Sequence, residues 1–587
     1  DKRGTLMYNL QPEISIGHPT ITWDNYESIG QELNRLFNEG KNRIAIECYP
    51  GVNLEELEQH LFSQLPNVCC VKADDYAYDA ETITKMIETN LTEDRVFGIM
   101  SHSVLEDYFP QYEINQWRHK TAKIEKILVY GIGATILLPD PDVLCYADLT
   151  RWEIQKRYRK GLANWKAANE HEDNLKKVKR GFFFEWRIAD RLKQRLTDQI
   201  DYLIDTNVAN QPKMVTGSGY RAALDEIVQQ PFRLVPYFDS SVWGGQWMKK
   251  EFNLDPNKQN YGWAFDGVPE ENSVCLNFAG TKIEIPAINI VHQRPIALLG
   301  KKVQARFGNE FPIRFDYLDT VGGGNLSLQV HPRVDYIQEK FGMTYTQNES
   351  YYILQASENS TIYLGVTEGT EKEELFRELK KAENGDYRFP DEKYINCFPV
   401  KKHDHYSIPS GTIHCGGPDT VVLEISQTPY IFTFKLWDWG RLGLDGIPRP
   451  VHLVHGEENV NTAYDTAWVQ ENLINPFETL YEDEEIRVEK TGLHELEFIE
   501  THRHWFKKEV TVSVHQSVNM LNLVEGEKIT VESVTDSFAP FEIHYGETFI
   551  VPEAVKNYRL VNQGDPNKEV AVIQAFVRGL STEATKL

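Results

Sequence analysis

Gln329 and His331 stand two residues apart in the run Leu326-Ser327-Leu328-Gln329-Val330-His331-Pro332, which has strand character. A strand sends residues i and i+2 to the same face, about 6.6 Å apart along the chain. An amide oxygen and an imidazole nitrogen presented side by side are the start of a metal site. Two further donors lie downstream on strand-like segments: Glu349, ahead of Ser350-Tyr351-Tyr352-Ile353-Leu354, and His414, after the turn Pro409-Ser410-Gly411-Thr412. Two imidazoles, a carboxylate and a Gln oxygen suit Zn2+ with one position left open for a substrate. Either histidine alone reads as an ordinary strand histidine; the four residues in this order favour a metal.

The chain that must position them has 587 residues, 41% hydrophobic and 12% aromatic. That length implies two to four domains able to bury large cores. A net charge of −25 argues against a general nucleic-acid partner, because a polyanion is repelled. It also means that a phosphorylated substrate needs a local basic pocket. The seven cysteines, Cys48, Cys69, Cys70, Cys145, Cys275, Cys397 and Cys415, show no paired spacing, as expected of reduced thiols in a cytoplasmic protein. The longest apolar run, Ile127 to Leu138, is too short to span a bilayer and reads as a buried strand. No membrane partner and no signal segment are expected; a homo-oligomer is compatible with the composition.

Residues 1–24 read as a tail or edge strand. From 25 to 225 the pattern alternates between helices and strands, the mark of a parallel sheet. Strands are expected at Arg43–Cys48, Val68–Ala73, Arg95–Met100, Ile127–Leu138 and Val143–Ala147. The loop Tyr49-Pro50-Gly51-Val52-Asn53 sits where a phosphate-binding loop would. It has one glycine and no Lys-Ser/Thr pair, so it is too short and too bulky to wrap a triphosphate. Strand-end acids followed by a basic helical stretch resemble nucleoside and uridine kinases, and that resemblance makes Asp74 or Asp75 the acid serving an acceptor hydroxyl. The missing loop makes it a degenerate, P-loop kinase-like domain. Fourteen Lys and Arg fall between Arg151 and Arg195. Interleaved acids favour a solvated helix face over a phosphate-gripping lid. Gly181–Trp186 is too apolar to stay exposed and is expected to dock on a neighbouring domain or partner chain. Gln211–Gly219 reads as a linker.

From Phe238 the pattern is all-β, with a short charged helix at Glu373–Asn384. Ser-x-Gln-Val-His-Pro, then Glu349 before its strand, then Ile408-Pro409-Ser410-Gly411-Thr412-Ile413-His414, then Leu423-Glu424-Ile425 resemble class I phosphomannose isomerase. The resemblance begins at Ser241-Val242-Trp243-Gly244-Gly245, runs through Arg449-Pro450-Val451-His452, and covers roughly the last three fifths of the chain. It implies a double-cupin (jelly-roll) region with a small helical insertion: a metal-binding cupin domain at 230–450 and a second cupin domain at 451–587. In the second, Ile550–Asn557 parallels Ser407–His414, with Pro552 on Pro409 and Asn557 where the ligand histidine would stand. That barrel is expected to carry no metal.

The resemblance further implies a zinc-dependent aldose–ketose isomerase interconverting mannose 6-phosphate and fructose 6-phosphate. Its metal ligands would be Gln329, His331, Glu349 and His414. Glu424 is either a proton-transfer residue facing the sugar or a salt-bridged strand carboxylate. Ser327 matches a substrate-side serine, and Lys435 falls where the family has a catalytic arginine. Gln347 and Asp316 stand where lysines are usual, and Arg333-Val334 replaces an acidic pair. Arg314, Arg333, Lys340, Arg441 and Arg449 could supply the missing charge. The rewritten surroundings keep a second reading open: a non-catalytic or differently specific metal-binding cupin that senses a sugar phosphate, fused to an inactive kinase-like domain.

Overall fold

The computed structural model describes residues 8–428 and 430–579. They form two compact units: residues 13–227 with 273–293, and the remainder, 8–12, 228–272 and 294–579. No helix among the described residues is long and apolar enough to cross a membrane, and all seven cysteine thiols are free.

The first unit is built on seven strands: β1 (Thr22–Trp23), β2 (Arg43–Cys48), β3 (Cys69–Lys72), β4 (Ile127–Gly131), β5 (Val143–Asp148), β6 (Tyr202–Asp205) and β7 (Lys213–Thr216). Their order is β1-β7-β6-β5-β2-β4-β3. β3, β4, β2, β5 and β6 run parallel, and β7 and β1 antiparallel at one edge. β4 is wholly apolar and β2 departs from that only at Arg43 and the buried Glu47, in keeping with a parallel sheet covered on both faces. The helix Tyr26–Asn38 starts where the Asn25 side chain accepts from Ser28 N, and it buries Ile29, Leu33 and Leu36 at helical spacing.

Several local expectations are corrected. Residues 95–100 form no strand, because Asp94 Oδ1 accepts from the amides of Val96 and Phe97 and curls the chain into a turn. The run from Ile127 breaks after Gly131, where Gly131 and Gly133 take φ of 106° and 93°, and Ala134–Leu137 is a short helix. The expected linker at 211–219 instead holds β7 and the start of the helix Gly217–Ile227. Gly181–Trp186 is buried within its own unit as a π-helical turn entering the helix Trp186–Leu196. The basic stretch is not a solvated face either. Arg151, Lys177, Lys179, Arg180 and Lys193 are all buried. Lys177 Nζ donates to the carbonyls of Tyr158, Leu162 and Glu170 at 3.1, 3.0 and 2.7 Å. Arg151 pairs with Asp190 at 2.8 Å and Lys193 with Asp148 at 3.0 Å. Residues 273–293 belong to this unit through a hairpin held by Asp205, whose Oδ2 accepts from Glu284 N at 2.8 Å.

The second unit carries two sandwiches of antiparallel sheets. The first is built from β8 (Tyr237–Asp239), β9 (Trp263–Gly267), β10 (Arg314–Asp319), β11 (Leu328–Val330), β12 (Asn348–Ala356), β13 (Thr361–Val366), β14 (Ile395–Pro399), β15 (His405–Ile408), β16 (His414–Gly416), β17 (Thr420–Gln427) and β18 (Phe434–Trp437). Its sheets are ordered β15-β12-β17-β10-β9-β8 and β14-β13-β16-β11-β18. The second is built from β19 (Glu478–Glu482), β20 (Ile486–Thr491), β21 (Ile499–Phe506), β22 (Glu509–Ser513), β23 (Asn519–Glu525), β24 (Lys528–Ser533), β25 (Phe541–His544), β26 (Thr548–Val551), β27 (Asn557–Asn562) and β28 (Val570–Val577). Its sheets are β26-β23-β28-β21-β20-β19 and β25-β24-β27-β22. The eight strands from β21 repeat, strand for strand, the order of the eight from β10. This is a double jelly roll of cupin-like form. The alternation of Glu509–Ser513, with Val510 and Val512 turned inward, feeds the second core beside Phe506, Leu521 and Phe549.

The barrels pack through polar groups. Asn522 Nδ2 donates to Tyr317 Oη at 2.8 Å, and Tyr317 in turn donates to Gly546 O at 2.6 Å. His405 is wedged between Thr491 Oγ1 and Ser350 Oγ at 3.0 and 2.8 Å. Burial, with Arg503 nearby, pushes its imidazole down to about 3.

Two stability tests follow from these networks. Asp190→Ala leaves Arg151 buried without its carboxylate and is expected to cost about 3–5 kcal/mol, read from urea unfolding of the first unit; an unchanged midpoint refutes it. For His405, the unfolded chain takes a proton below about pH 6.5 that the folded chain refuses. This contribution is complete at neutral pH and is lost as pH falls from there towards 3. The urea midpoint of the wild type should therefore drop more between pH 7 and pH 5 than that of His405→Gln; equal drops refute the assignment.

Candidate metal centre

β11 carries the chain to His331, β12 holds Glu349 and β16 opens on His414. The two histidines come from one sheet of the first barrel and the glutamate from the other, so the site lies between the sheets. All three side chains are at most 2% exposed. Glu349 Oε2 is 3.1 Å from His331 Nε2, and Oε1 is 2.7 Å from His414 Nε2. One ligand atom from each residue lies within 4.8 Å of the others, the one such His/Cys/Asp/Glu group among the described residues.

The tautomers follow from what sits behind each ring. His331 Nδ1 faces Phe432 O and His414 Nδ1 faces Thr412 O, both at 2.9 Å. A carbonyl accepts only, so each Nδ1 carries the proton and each Nε2 presents a lone pair. His331 Nε2, His414 Nε2 and Glu349 Oε1 are buried and have no hydrogen-bond partner. Three lone-pair atoms converging in a dry interior repel one another unless a cation lies between them. Two neutral imidazoles and a carboxylate are the donor set of a zinc-type site. Burial raises the Glu349 carboxyl, and what would hold it well below the usual range is positive charge at the place of His331 and His414, which a cation supplies when both rings are neutral.

Gln347, read from sequence as a lost lysine, has a different place. Its Nε2 donates to Glu349 Oε2 at 2.9 Å and its Oε1 accepts from Phe432 N at 2.9 Å. It orients the carboxylate without adding charge, and its position two residues before Glu349 on the same strand face was the signal for that role. Gln329 lies in cross-strand register with His414. Its Oε1 accepts from Thr433 Oγ1 at 2.6 Å and its Nε2 donates to Ser327 O. Lys435 is in register with Gln329 on the far side. Ser327 donates to Asp438 at 2.7 Å, and Asp438 also pairs with Arg441 and Arg449 at 3.0 and 3.4 Å.

Glu424 is buried directly across from Asp316, near Glu349. Burial, reinforced by Asp316 and Glu349, pushes its carboxyl well above the ordinary range. Asp316 is pushed up to about 7 by burial against the opposing pull of Arg314.

In the second barrel Asn557, expected where the ligand histidine would stand, is exposed and in register with Ser513, and its buried neighbour Tyr558 is the residue of β27 that reaches Asn519. Asn519, opposite Val551 as Glu349 is opposite Ile408, accepts from Gln574 and Tyr558, both at 2.8 Å. Neutral amides there satisfy one another where the first barrel leaves lone pairs unmet.

Fold and site together define a double jelly-roll protein whose first barrel holds a buried His–Glu–His group with a donor set suited to a metal ion. Its C-terminal part is homologous to proteins named mannose-6-phosphate isomerase. It is 28% identical to that of Streptococcus mutans over 228 residues, which are 38% of this chain and 66% of that protein. It is 27% identical to one of Bacillus subtilis over 226 residues, again 38% and 66%. The solved mannose 6-phosphate isomerase of Bacillus subtilis aligns with a TM-score of 0.48 at 20% identity, covering 59% of this chain and 99% of that one. Residues 25–229 match a family described as a domain of unknown function, DUF8485.

Removing the carboxylate's support tests the centre. Gln347→Leu should lower zinc affinity about 10–100-fold, the usual cost of losing a partner behind a metal ligand, as read by competition with a chelating dye. His331→Ala should abolish stoichiometric binding. Full zinc affinity in His331→Ala would overturn the site.

Proposed function

We propose that this protein is a zinc-dependent aldose–ketose isomerase that interconverts mannose 6-phosphate and fructose 6-phosphate. The observation that carries this reading is the convergence of the unpartnered His331 Nε2, Glu349 Oε1 and His414 Nε2, joined to the homology with mannose-6-phosphate isomerases. His331, Glu349 and His414 would hold the ion, with the Gln329 oxygen beside them once it leaves Thr433. When bound, zinc supplies a Lewis acid that polarises a sugar carbonyl. The chain's own residues do the rest. Glu424, buried near Glu349, would in its carboxylate form take the proton from C2 of the aldose and return it to C1 through the enediol, ending as the carboxylate again. Lys435 supplies a cation on the inner face of the opposite sheet, and the dry interior keeps water from competing. The seven free thiols fit a cytoplasmic setting.

For the first unit we infer a degenerate kinase-like fold that binds no nucleotide triphosphate. Its parallel strands follow the order β3-β4-β2-β5-β6, with the loop at 49–53 opening from β2. That loop is closed by the chain itself: Arg157 donates to Gly51 O and Thr206 O, both at 2.8 Å. Asp74 is already filled by Ile132 N and Trp165 Nε1, both at 3.0 Å.

A second reading, a metal-binding cupin that senses rather than converts a sugar phosphate, is favoured by the buried Asp316 standing where a lysine is usual. A coupled assay on zinc-loaded protein with a panel of hexose and pentose phosphates separates the two. Mannose 6-phosphate should turn over in the wild type. Glu424→Gln should lower kcat by about 10²–10⁴-fold with zinc content intact. Stoichiometric zinc without turnover of any sugar phosphate decides for the sensor.

A further inference from the structure

We propose that Arg314, facing Lys435 across the first barrel, forms an anion subsite that grips the phosphate end of the substrate. This rests on the isomerase reading for the identity of the sugar, but its geometry is independent of turnover.

The argument starts from strand register. Residues paired across neighbouring strands share a face of the sheet. On β12, β17 and β10 the row is Glu349, Ser426, Arg314. On β16, β11 and β18 of the opposing sheet it is His414, Gln329, Lys435. Each row begins at a candidate metal ligand and ends, two strand spacings or about 10 Å away, on a cation. Arg314 and Lys435 therefore line opposite walls at equal reach from the metal, a span that fits a six-carbon phosphate with its carbonyl end at the ion.

The floor between is built for a polar guest. Ser426 Oγ and both oxygens of Asp316 are buried and accept or donate no hydrogen bond. Asp316 is 1% exposed and Arg314 6%. Arg314 has charged neighbours only beyond normal hydrogen-bond length: Asp316 at 3.5 Å and Glu271 at 3.6 Å, with the Phe265 ring beneath it. Those carboxylates outweigh burial and keep the guanidinium charged. The other arginines and lysines of this region are committed elsewhere. Arg441 and Arg449 hold Asp438, while Arg333 and Lys340, about half exposed, pair with Asp335 and Glu339. A planar fork suits a phosphate's oxygens, and the unmet Asp316 and Ser426 atoms are aimed where sugar hydroxyls would lie.

The test uses ligands that cannot be isomerised: a hexitol 6-phosphate and the same hexitol without phosphate, titrated calorimetrically into the zinc-loaded full chain. The wild type should bind the phosphate at least 10-fold more tightly. Arg314→Gln should lose about 10–100-fold of that affinity while its zinc stoichiometry and its hexitol affinity stay unchanged. Arg314→Lys should fall between, keeping charge but not the fork. Equal phosphate affinity in wild type and Arg314→Gln overturns the proposal, as does a wild type that does not distinguish the two ligands. If Arg314→Gln is too unstable to titrate, Arg314→Lys with wild-type phosphate affinity overturns it. Phosphate preference without turnover of mannose 6-phosphate sinks the isomerase reading and leaves the subsite standing.

Discussion

The first barrel depends on one electrostatic demand. Two imidazole nitrogens and a carboxylate oxygen, each carrying a lone pair, meet in a space closed to water. Their orientations are not adjustable, because Phe432 O and Thr412 O hold the ring protons on the far side and Gln347 holds the carboxylate. Such a knot of acceptors is costly in an empty interior and favourable around a cation. The strands that deliver these residues come from both sheets, so a cation held there would also tie the sheets together.

The second barrel meets the same topological position differently. It has the strand order and register of the first, yet Asn519, Gln574 and Tyr558 satisfy one another with neutral hydrogen bonds. A polar interior can be stable without an ion when donors and acceptors are matched. From the second barrel, Asn522, Gly546 and Arg503 hold the outer face of the sheet that carries Glu349 and Glu424. In the first unit, buried cations do comparable work by neutralising buried acids and capping backbone carbonyls. A basic stretch in sequence thus becomes internal scaffolding.

Much of this was legible in the residues. Strand character marked β11 and β12, and helical spacing at Ile29, Leu33 and Leu36 marked the first helix, while the expected match of Asn557 to His414 missed by one residue, since Tyr558 is the one turned inward. Where reading failed, a side chain had captured the backbone. Asp94 turned an apolar run at 95–100 into a bend, and two glycines with positive φ ended β4 early. The return of 273–293 to the first unit leaves no linear mark, since a hairpin's sequence does not say which sheet will receive it.

By itself the sequence determined the periodicities, hence the α/β and jelly-roll classes, and the donor types that suit a zinc-like ion. Spacing along a strand is set by covalent geometry, so Gln329 and His331 had to share a face. What tertiary structure alone decided is which distant residues meet. Only cross-strand register makes Gln347 a support for Glu349 rather than a missing charge. It also turns Arg314 and Asp316 inward and sets Arg314 and Lys435 two strands away from Glu349 and His414 on opposing sheets. Register is fixed by packing across the whole barrel, through partners tens of residues away, and no local pattern carries it.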